Sequence, residues 1–451
     1  MAKKTYVFDT SVCLTDSKCI YNYGNNDIVL PLKVLEEIDN HKKRQDTVGV
    51  NARMIIRELD DLRTKGSLQD GVRIAKGKGI LKVDTRSVEE LPSDLSPEVA
   101  DHVIISTALK QKNSNTGRKT ILVSRDINMR VICDSIGLLC EDYTENQVIK
   151  KESELYSGFS TILVDDQVVE QFYDGNKIFL DPEEHPGALL NQFTMLVSSS
   201  NEKKTALCRF TGYQSPLSAV MHYKDGLWGV KARNKEQMFA LDLLMDPKVE
   251  VVSLIGKAGS GKTLMAIAAG LEQVVSNINV KNKLKNDTYC RTPYKRLVVS
   301  RPVMPMGKDI GFLPGSMEEK MAPWLAPVQD NLKFLTGDDQ TTLDDYMERG
   351  LIEIEALTYI RGRSIANAYI VIDEAQNLTA HEIKTILTRV GEGTKIVLTG
   401  DIEQIDNIYI NEMSSGLTHA VEKLKEYDLS GHITLKRGER SNVATLAAKV
   451  L

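Results

Sequence analysis

The residues 256–263, Gly256-Lys257-Ala258-Gly259-Ser260-Gly261-Lys262-Thr263, fit the pattern GxxxxGK[ST]. That spacing serves phosphate binding. Glycines let the backbone turn its N–H groups inward, a lysine ammonium reaches the β and γ phosphates, and the closing hydroxyl holds Mg²⁺. The flanks suit the task. Val251-Val252-Ser253-Leu254-Ile255 reads as a buried strand, and Leu264 to Val275 has helical spacing. A helix N-terminus adds positive potential where phosphates sit. The expected ligand is ATP, held by Gly256, Lys257, Ala258, Gly259, Ser260, Gly261, Lys262 and Thr263, with Lys262 also acting in catalysis.

Two further strand ends carry polar groups. In Ala368-Tyr369-Ile370-Val371-Ile372-Asp373-Glu374, an apolar strand delivers paired carboxylates. Asp373 is expected to hold Mg²⁺, commonly through water, and Glu374 to polarise the attacking water. In Val397-Leu398-Thr399-Gly400-Asp401-Ile402-Glu403-Gln404, Gln404 is a candidate for sensing the γ phosphate or aligning water. Ligands bind at such carboxyl ends of parallel strands. Upstream, Gln237 in Arg233-Asn234-Lys235-Glu236-Gln237 offers an amide donor and acceptor that suit an adenine edge. Arginines neutralise charge during phosphoryl transfer. The candidates are Arg361, Arg363, Arg437 and Arg440, acting within the chain or on a neighbour. Thr379-Ala380-His381-Glu382 has the form of a capping box, a structural feature.

A second chemistry is written in carboxylates near the start. Asp9 follows the strand Tyr6-Val7-Phe8, Glu37 lies on the helix after Pro31, Asp101 is early in the helix after Pro97, and Asp126 follows Ile121-Leu122-Val123. Each alone reads as a cap or a surface charge. Together, brought to one edge of a parallel sheet, they would repel unless a cation neutralised them. Oxygen-only ligation selects Mg²⁺ or Mn²⁺, which can activate water for phosphodiester hydrolysis. Glu36 and Asp39 compete with Glu37 for the role.

The elements that must position these groups fall into three stretches. Residues 1–150 alternate strands with helices, among them Pro31 to His41, Glu98 to Lys112 and Ile127 to Ile136, which marks an α/β domain. Residues 151–232 read as a small β-rich module. Its expected strands are Thr161–Val164, Gln167–Val169, Lys177–Leu180 and Ala219–Tyr223, with turns at Asp174-Gly175-Asn176 and Asp225-Gly226. Residues 233–451 return to strand–helix alternation, so a mostly parallel sheet is expected.

Composition sets wide bounds. The 451 residues suffice for several cores, and 42% hydrophobic with 26% charged residues is ordinary for a soluble protein. A net charge of −5 gives no global basic footprint, so nucleic-acid binding must rest on local patches. The six cysteines form no CxxC pair, which argues against zinc and for free thiols. The first apolar run is too short for a secretory signal, and no stretch approaches the ~20 apolar residues of a membrane span. A cytoplasmic protein is expected.

The acidic segments Phe8-Asp9-Thr10-Ser11, Val34–Asp39, Asp101-His102-Val103-Ile104 and Val123–Asn128 resemble, in order and spacing, the four acidic motifs of PIN-domain ribonucleases. The stretch 234–451 resembles the PhoH family of ATPases through the phosphate loop, Arg301-Pro302, Gly311–Gly315, Arg361-Gly362-Arg363-Ser364, Asp373–Asn377 and Gly400–Gln404. The whole resembles the PIN–PhoH proteins. This resemblance implies a RecA-like core related to superfamily-1 helicases, ATP-driven RNA unwinding, metal-dependent RNA cleavage and ring-like homo-oligomers such as hexamers. With one ATPase core per chain, a motor needs neighbouring subunits. The expected function is therefore an ATP-dependent RNA helicase joined to a ribonuclease. A nucleotide-switched RNA-binding scaffold without cleavage, and an ATPase acting on DNA or protein, are the competing readings.

Overall fold

The computed structural model describes residues 3–44, 47–85, 91–114, 117–144, 155–276, 294–302, 317–357, 364–407, 410–436 and 438. Two compact units divide the chain, Met1–Gln147 and Val148–Leu451.

The first unit is built on strands β1 (Thr5–Phe8), β2 (Asp27–Pro31), β3 (Val72–Arg73), β4 (Ile80–Asp84), β5 (Thr120–Val123) and β6 (Cys140–Glu141). They lie in the order β3-β4-β2-β1-β5-β6, and all neighbours are parallel except β3 and β4. Helices α1 (Thr10–Thr15), α2 (Leu32–His41), α3 (Thr47–Arg63), α4 (Ala100–Ser114) and α5 (Ile127–Ser135) complete it. Strands β1, β2 and β5 are buried along their whole length, as parallel strands covered on both faces are. The expected strands and helices here stand within two residues of their expected ends.

In the second unit, β7 (Phe159–Val164), β8 (Phe193–Ser198), β9 (Thr205–Arg209) and β10 (Ser218–Ala219) form a sheet in the order β10-β9-β8-β7. Here sequence reading needs correction. Gln167–Val169, expected as a strand, lies in helix α6 (Asp166–Tyr173), a crossover between the parallel strands β7 and β8. A three-residue apolar run fits either period. Val169 is buried, with Val168 and Phe172 packed beside it, at helical spacing. Lys177–Leu180 forms no strand, and only Ala219 of the stretch Ala219–Tyr223 belongs to one.

This sheet is joined to the following core. Phe193 stacks on Phe239 with ring centroids 4.4 Å apart, and Phe159 stacks on the same ring at 5.5 Å. Buried Arg209 pairs with Asp242 at 3.0 Å and with Asp246 at 2.8 Å.

The core carries α7 (Lys235–Met245), β11 (Val251–Gly256), α8 (Lys262–Leu271), β12 (Arg296–Arg301), α9 (Met317–Leu335), α10 (Gln340–Glu348), β13 (Ile352–Ala356), β14 (Ala368–Ile372), α11 (Ala380–Leu387), β15 (Lys395–Gly400), α12 (Gly416–Leu424) and β16 (Ser430–Leu435). Its sheet runs β13-β12-β14-β15-β11-β16, every pair parallel. Strands β14 and β15 are wholly buried. Each Val, Leu or Ile so buried stabilises the fold by roughly 1.5–3 kcal/mol. Helix α8 can lie close on the sheet because Gly270 has no side chain. A Cβ there would stand 2.7 Å from Leu297 Cδ1 and 2.9 Å from Tyr369 Cδ1. The capping box at Thr379 is present, with Thr379 N donating to the Glu382 carboxylate at 2.9 Å and Glu382 N to Thr379 Oγ1 at 3.3 Å. Among the described residues, no helix is long and apolar enough to cross a membrane.

Lys395 begins β15 with no exposed surface, and its Nζ donates to Leu243 O at 2.9 Å and Asp246 O at 2.7 Å. It thereby closes the C-terminal end of α7. Burial pushes its ammonium down from 10.5 to about 7. Between those values the unfolded chain binds more protons than the folded one, so this residue's contribution to stability rises with pH across that window. Lys395→Met removes the dependence. The variant's stability relative to the parent is expected to be more favourable at about pH 6 than at about pH 9, by roughly 2–3 kcal/mol. Urea unfolding at both values measures this. An identical difference at both would show that the amine keeps its charge throughout.

Candidate active sites

The phosphate loop follows β11 and opens α8. Gly261, just before the helix, holds φ +84°, a left-handed conformation in which side chains are strained. Thr263 Oγ1 donates to Asp373 Oδ1 at 2.7 Å, and Thr399 Oγ1 donates to the same oxygen at 2.7 Å. The strand order explains this meeting. Strand β15 lies between β11 and β14, so Thr399 near its end stands beside the carboxylate of Asp373, which follows β14. A hydroxyl and a carboxylate at this distance form an oxygen-only donor set suited to Mg²⁺, which keeps several waters besides its protein ligands. Lys262 is buried, its Nζ donating to Lys257 O at 3.5 Å.

A network runs from this loop to Glu374. Ala258 N donates to Asp401 Oδ2 at 2.8 Å, so a carboxylate holds a loop N–H of the kind that phosphates bind. Asp401 N donates to Gln376 Oε1 at 3.1 Å, and Gln376 Nε2 donates to Glu374 Oε2 at 2.5 Å and to Gln404 O at 2.9 Å. Lys257 pairs with Glu403 at 2.8 Å. Gln404 thus joins the network through its backbone, while its residue is exposed. A cavity of about 400 Å³ flanks the loop, lined in part by Gly256, Lys257, Asp401, Glu403 and Lys436.

Gln237, expected at the adenine edge, braces the loop in this structure. It is buried, its Nε2 donates to Ser260 O at 3.0 Å, and its Oε1 accepts from Arg233 N at 2.7 Å. Arg361, Arg363, Arg437 and Arg440 lie outside the described residues, as does Gly311–Gly315.

The acidic site belongs to the first unit. Asp9 caps α1 and is buried. Its Oδ1 accepts from Thr10 N at 2.6 Å, and its Oδ2 from Ser11 Oγ at 2.5 Å and Ser124 Oγ at 2.7 Å. Asp126 caps α5 through Asn128 N at 2.7 Å, while its own N donates to Ser124 Oγ at 3.0 Å. Thr10 Oγ1 donates to Glu37. Burial raises the Asp9 carboxyl above its ordinary value despite these donors. Asp101 is raised by burial first and then by the negative charges of Asp9, Asp126 and Glu37. Asp101 therefore stands within electrostatic reach of each of the other three carboxylates. Their neighbours are turned elsewhere, Glu36 pairing with Lys33 at 3.0 Å and Asp39 with Lys42 at 2.6 Å.

Among the described residues, no three acidic, histidine or cysteine side chains close on one point. Mg²⁺ does not need such a cage, since one or two carboxylates and waters hold it. The oxygen-only character of the site fits Mg²⁺ or Mn²⁺.

Residues 6–144 match the model of the PIN domain, and residues 229–449 match that of PhoH-like protein. The chain is 41% identical over 456 residues to Protein PhoH2 of Bacillus subtilis, covering 99% of this chain and 100% of that one. The chain belongs to the PhoH2 family. Protein PhoH2 of Thermobispora bispora is 34% identical, covering 99% of this chain and 96% of its own length. That of Mycolicibacterium smegmatis is 33% identical, covering 100% and 97%. As a PhoH2-family chain it carries an N-terminal PIN nuclease domain and a C-terminal PhoH domain with a mostly parallel sheet and an ATPase-like core.

Sequence reasoning assigned no role to Thr399, Asp401, Gln376 or Arg301. All four stand inside the runs that drew attention, so position at a strand end was the available signal. Lys262→Ala should lower ATP turnover by about two orders of magnitude or more, as removal of a charge stabiliser does. A phosphate-release assay on the full chain checks this, and unchanged turnover would remove Lys262 from the reaction.

Proposed function

We propose that this chain is an ATP-dependent RNA helicase coupled to a metal-dependent endoribonuclease. The observation that carries the reading is the presence, on one chain, of two oxygen-lined sites of different construction. One joins a phosphate loop to a strand-end carboxylate through Thr263 and Asp373. The other would use Asp9, Glu37, Asp101 and Asp126, a reading supported by the negative charges of the other three acting on Asp101.

In the ATPase, Lys262 would contact the β and γ phosphates, Thr263 and Asp373 would hold Mg²⁺, and Glu374 would polarise the attacking water. Gln404 would sense the γ phosphate, Gln237 would position the loop and the adenine, and Arg437 and Arg440 would neutralise charge, from the same chain or a neighbour. In the nuclease, the four carboxylates would hold Mg²⁺ or Mn²⁺, which supplies charge neutralisation and water activation when bound. Asp9 is fixed by three donors, so its orientation is set before any cation arrives. ATP hydrolysis would remodel RNA or feed it to the cutting site. One ATPase core per chain supports a ring-like homo-oligomer, a hexamer among the forms, working in the cytoplasm.

Asp9→Asn, alone and with Asp126→Asn, is expected to abolish cleavage of a labelled RNA in Mg²⁺ or Mn²⁺ while leaving ATP hydrolysis at the parent rate. Cleavage that survives both changes would refute the metal-site assignment. RNA binding without cleavage by the parent chain, across a range of divalent ions, would favour the scaffold reading.

A further inference from the structure

Glu374 has a protein donor at each carboxylate oxygen. Its Oε1 faces the Arg301 guanidinium at 3.4 Å, and its Oε2 accepts from Gln376 Nε2 at 2.5 Å. Its backbone sits at φ +53°, a left-handed conformation that costs a non-glycine residue roughly 1–3 kcal/mol. Such strain persists only where surrounding contacts hold it, and at functional sites it accompanies a choice between two states.

The two restraints differ in kind. Gln376 is fully buried and is also tied to Asp401 N and Gln404 O, so it belongs to the rigid sheet edge. Arg301 makes the longer contact and its side chain is 24% exposed. It ends β12, which pairs directly with β14, and Asp373 N donates to Ser300 O at 2.8 Å. Backbone pairing therefore fixes where Arg301 and Glu374 stand, while the arginine's reach leaves its partner open. Beside it, Ser300 Oγ is buried with no hydrogen-bond partner among the described residues. A guanidinium binds a phosphate oxygen pair with the same planar fork it offers a carboxylate.

We propose that Arg301 is a positioning residue that exchanges partners. Without polymer it holds Glu374 away from the attacking water, and a phosphodiester of bound RNA draws it off and frees Glu374 for hydrolysis. This rests on the reading of the core as an ATPase acting on RNA. It assigns to Arg301 the coupling between polymer binding and ATP turnover.

The test compares ATP turnover by the full chain with and without polyuridylate, for the parent, Arg301→Ala, Arg301→Gln and Arg301→Lys. Both neutral variants are expected to turn over ATP severalfold faster than the parent without polymer, through kcat rather than KM. Their stimulation by polyuridylate should fall toward none. The lysine variant, which keeps the charge, should recover part of the stimulation. A fluorescent ADP analogue reports whether each variant still folds a nucleotide site, and two neutral variants guard against one that does not. Slower polymer-free turnover in the neutral variants, or an unchanged stimulation ratio, overturns the exchange while leaving the ATPase reading intact. A parent chain that polyuridylate does not stimulate overturns the RNA reading itself. Equal stimulation by single-stranded DNA overturns the assignment of the phosphodiester to RNA.

Discussion

The core depends on one placement, that of β15 between the strand of the phosphate loop and the strand that ends in Asp373. Parallel strands deliver their carboxyl ends to a single edge. The interposed strand spaces the loop and the carboxylate apart, and its own last residues fill the interval. Thr399 closes onto the oxygen that Thr263 also holds, so a single carboxylate oxygen fixes the relation of two strand ends and the first turn of α8. Helix α8 must lie close for this to work, and the bare Cα of Gly270 against Leu297 and Tyr369 allows it. Buried apolar strands supply the rigidity, and short polar contacts at their tips supply the geometry.

The first unit solves a different problem. Its carboxylates repel one another, and burial of Asp9 and Asp101 adds to the cost of their charge. Capping absorbs part of it. Asp9 and Asp126 each accept a backbone N–H at the start of a helix, the hydroxyls of Ser11 and Ser124 hold the other oxygen of Asp9, and that of Thr10 donates to Glu37. The same residues that serve as caps are the ones proposed to hold a cation. A cap and a ligand are two uses of one oriented carboxylate, which is why neither could be read from one position alone.

Much of this was legible in the sequence where chemistry is written in adjacent residues. The phosphate loop and the Asp373-Glu374 pair are local, and their strands stand where apolar runs put them. The choice among Glu36, Glu37 and Asp39 was not local. What bears on it comes from other positions, Lys33 and Lys42 engaging the flanking acids and Thr10 engaging Glu37. Gln167–Val169 misled because so few apolar residues fit a strand and a helix equally. Arg301, Asp401 and Gln376 stand in runs the sequence marks, yet their roles were not legible, for a deeper reason. Their partners are set by the order of strands in the sheet, which chain order does not reveal.

Asp401 has a consequence beyond the resting fold. Its carboxylate accepts the Ala258 N–H within the phosphate loop, so an arriving anion meets a resident one. The loop's affinity for nucleotide is then a difference between two occupants, lower than the loop alone would give. A tethered carboxylate is also at hand to retake the loop N–H whenever a bound anion leaves it. The loop therefore has an occupant of its own, and the chain itself supplies the rival to any ligand.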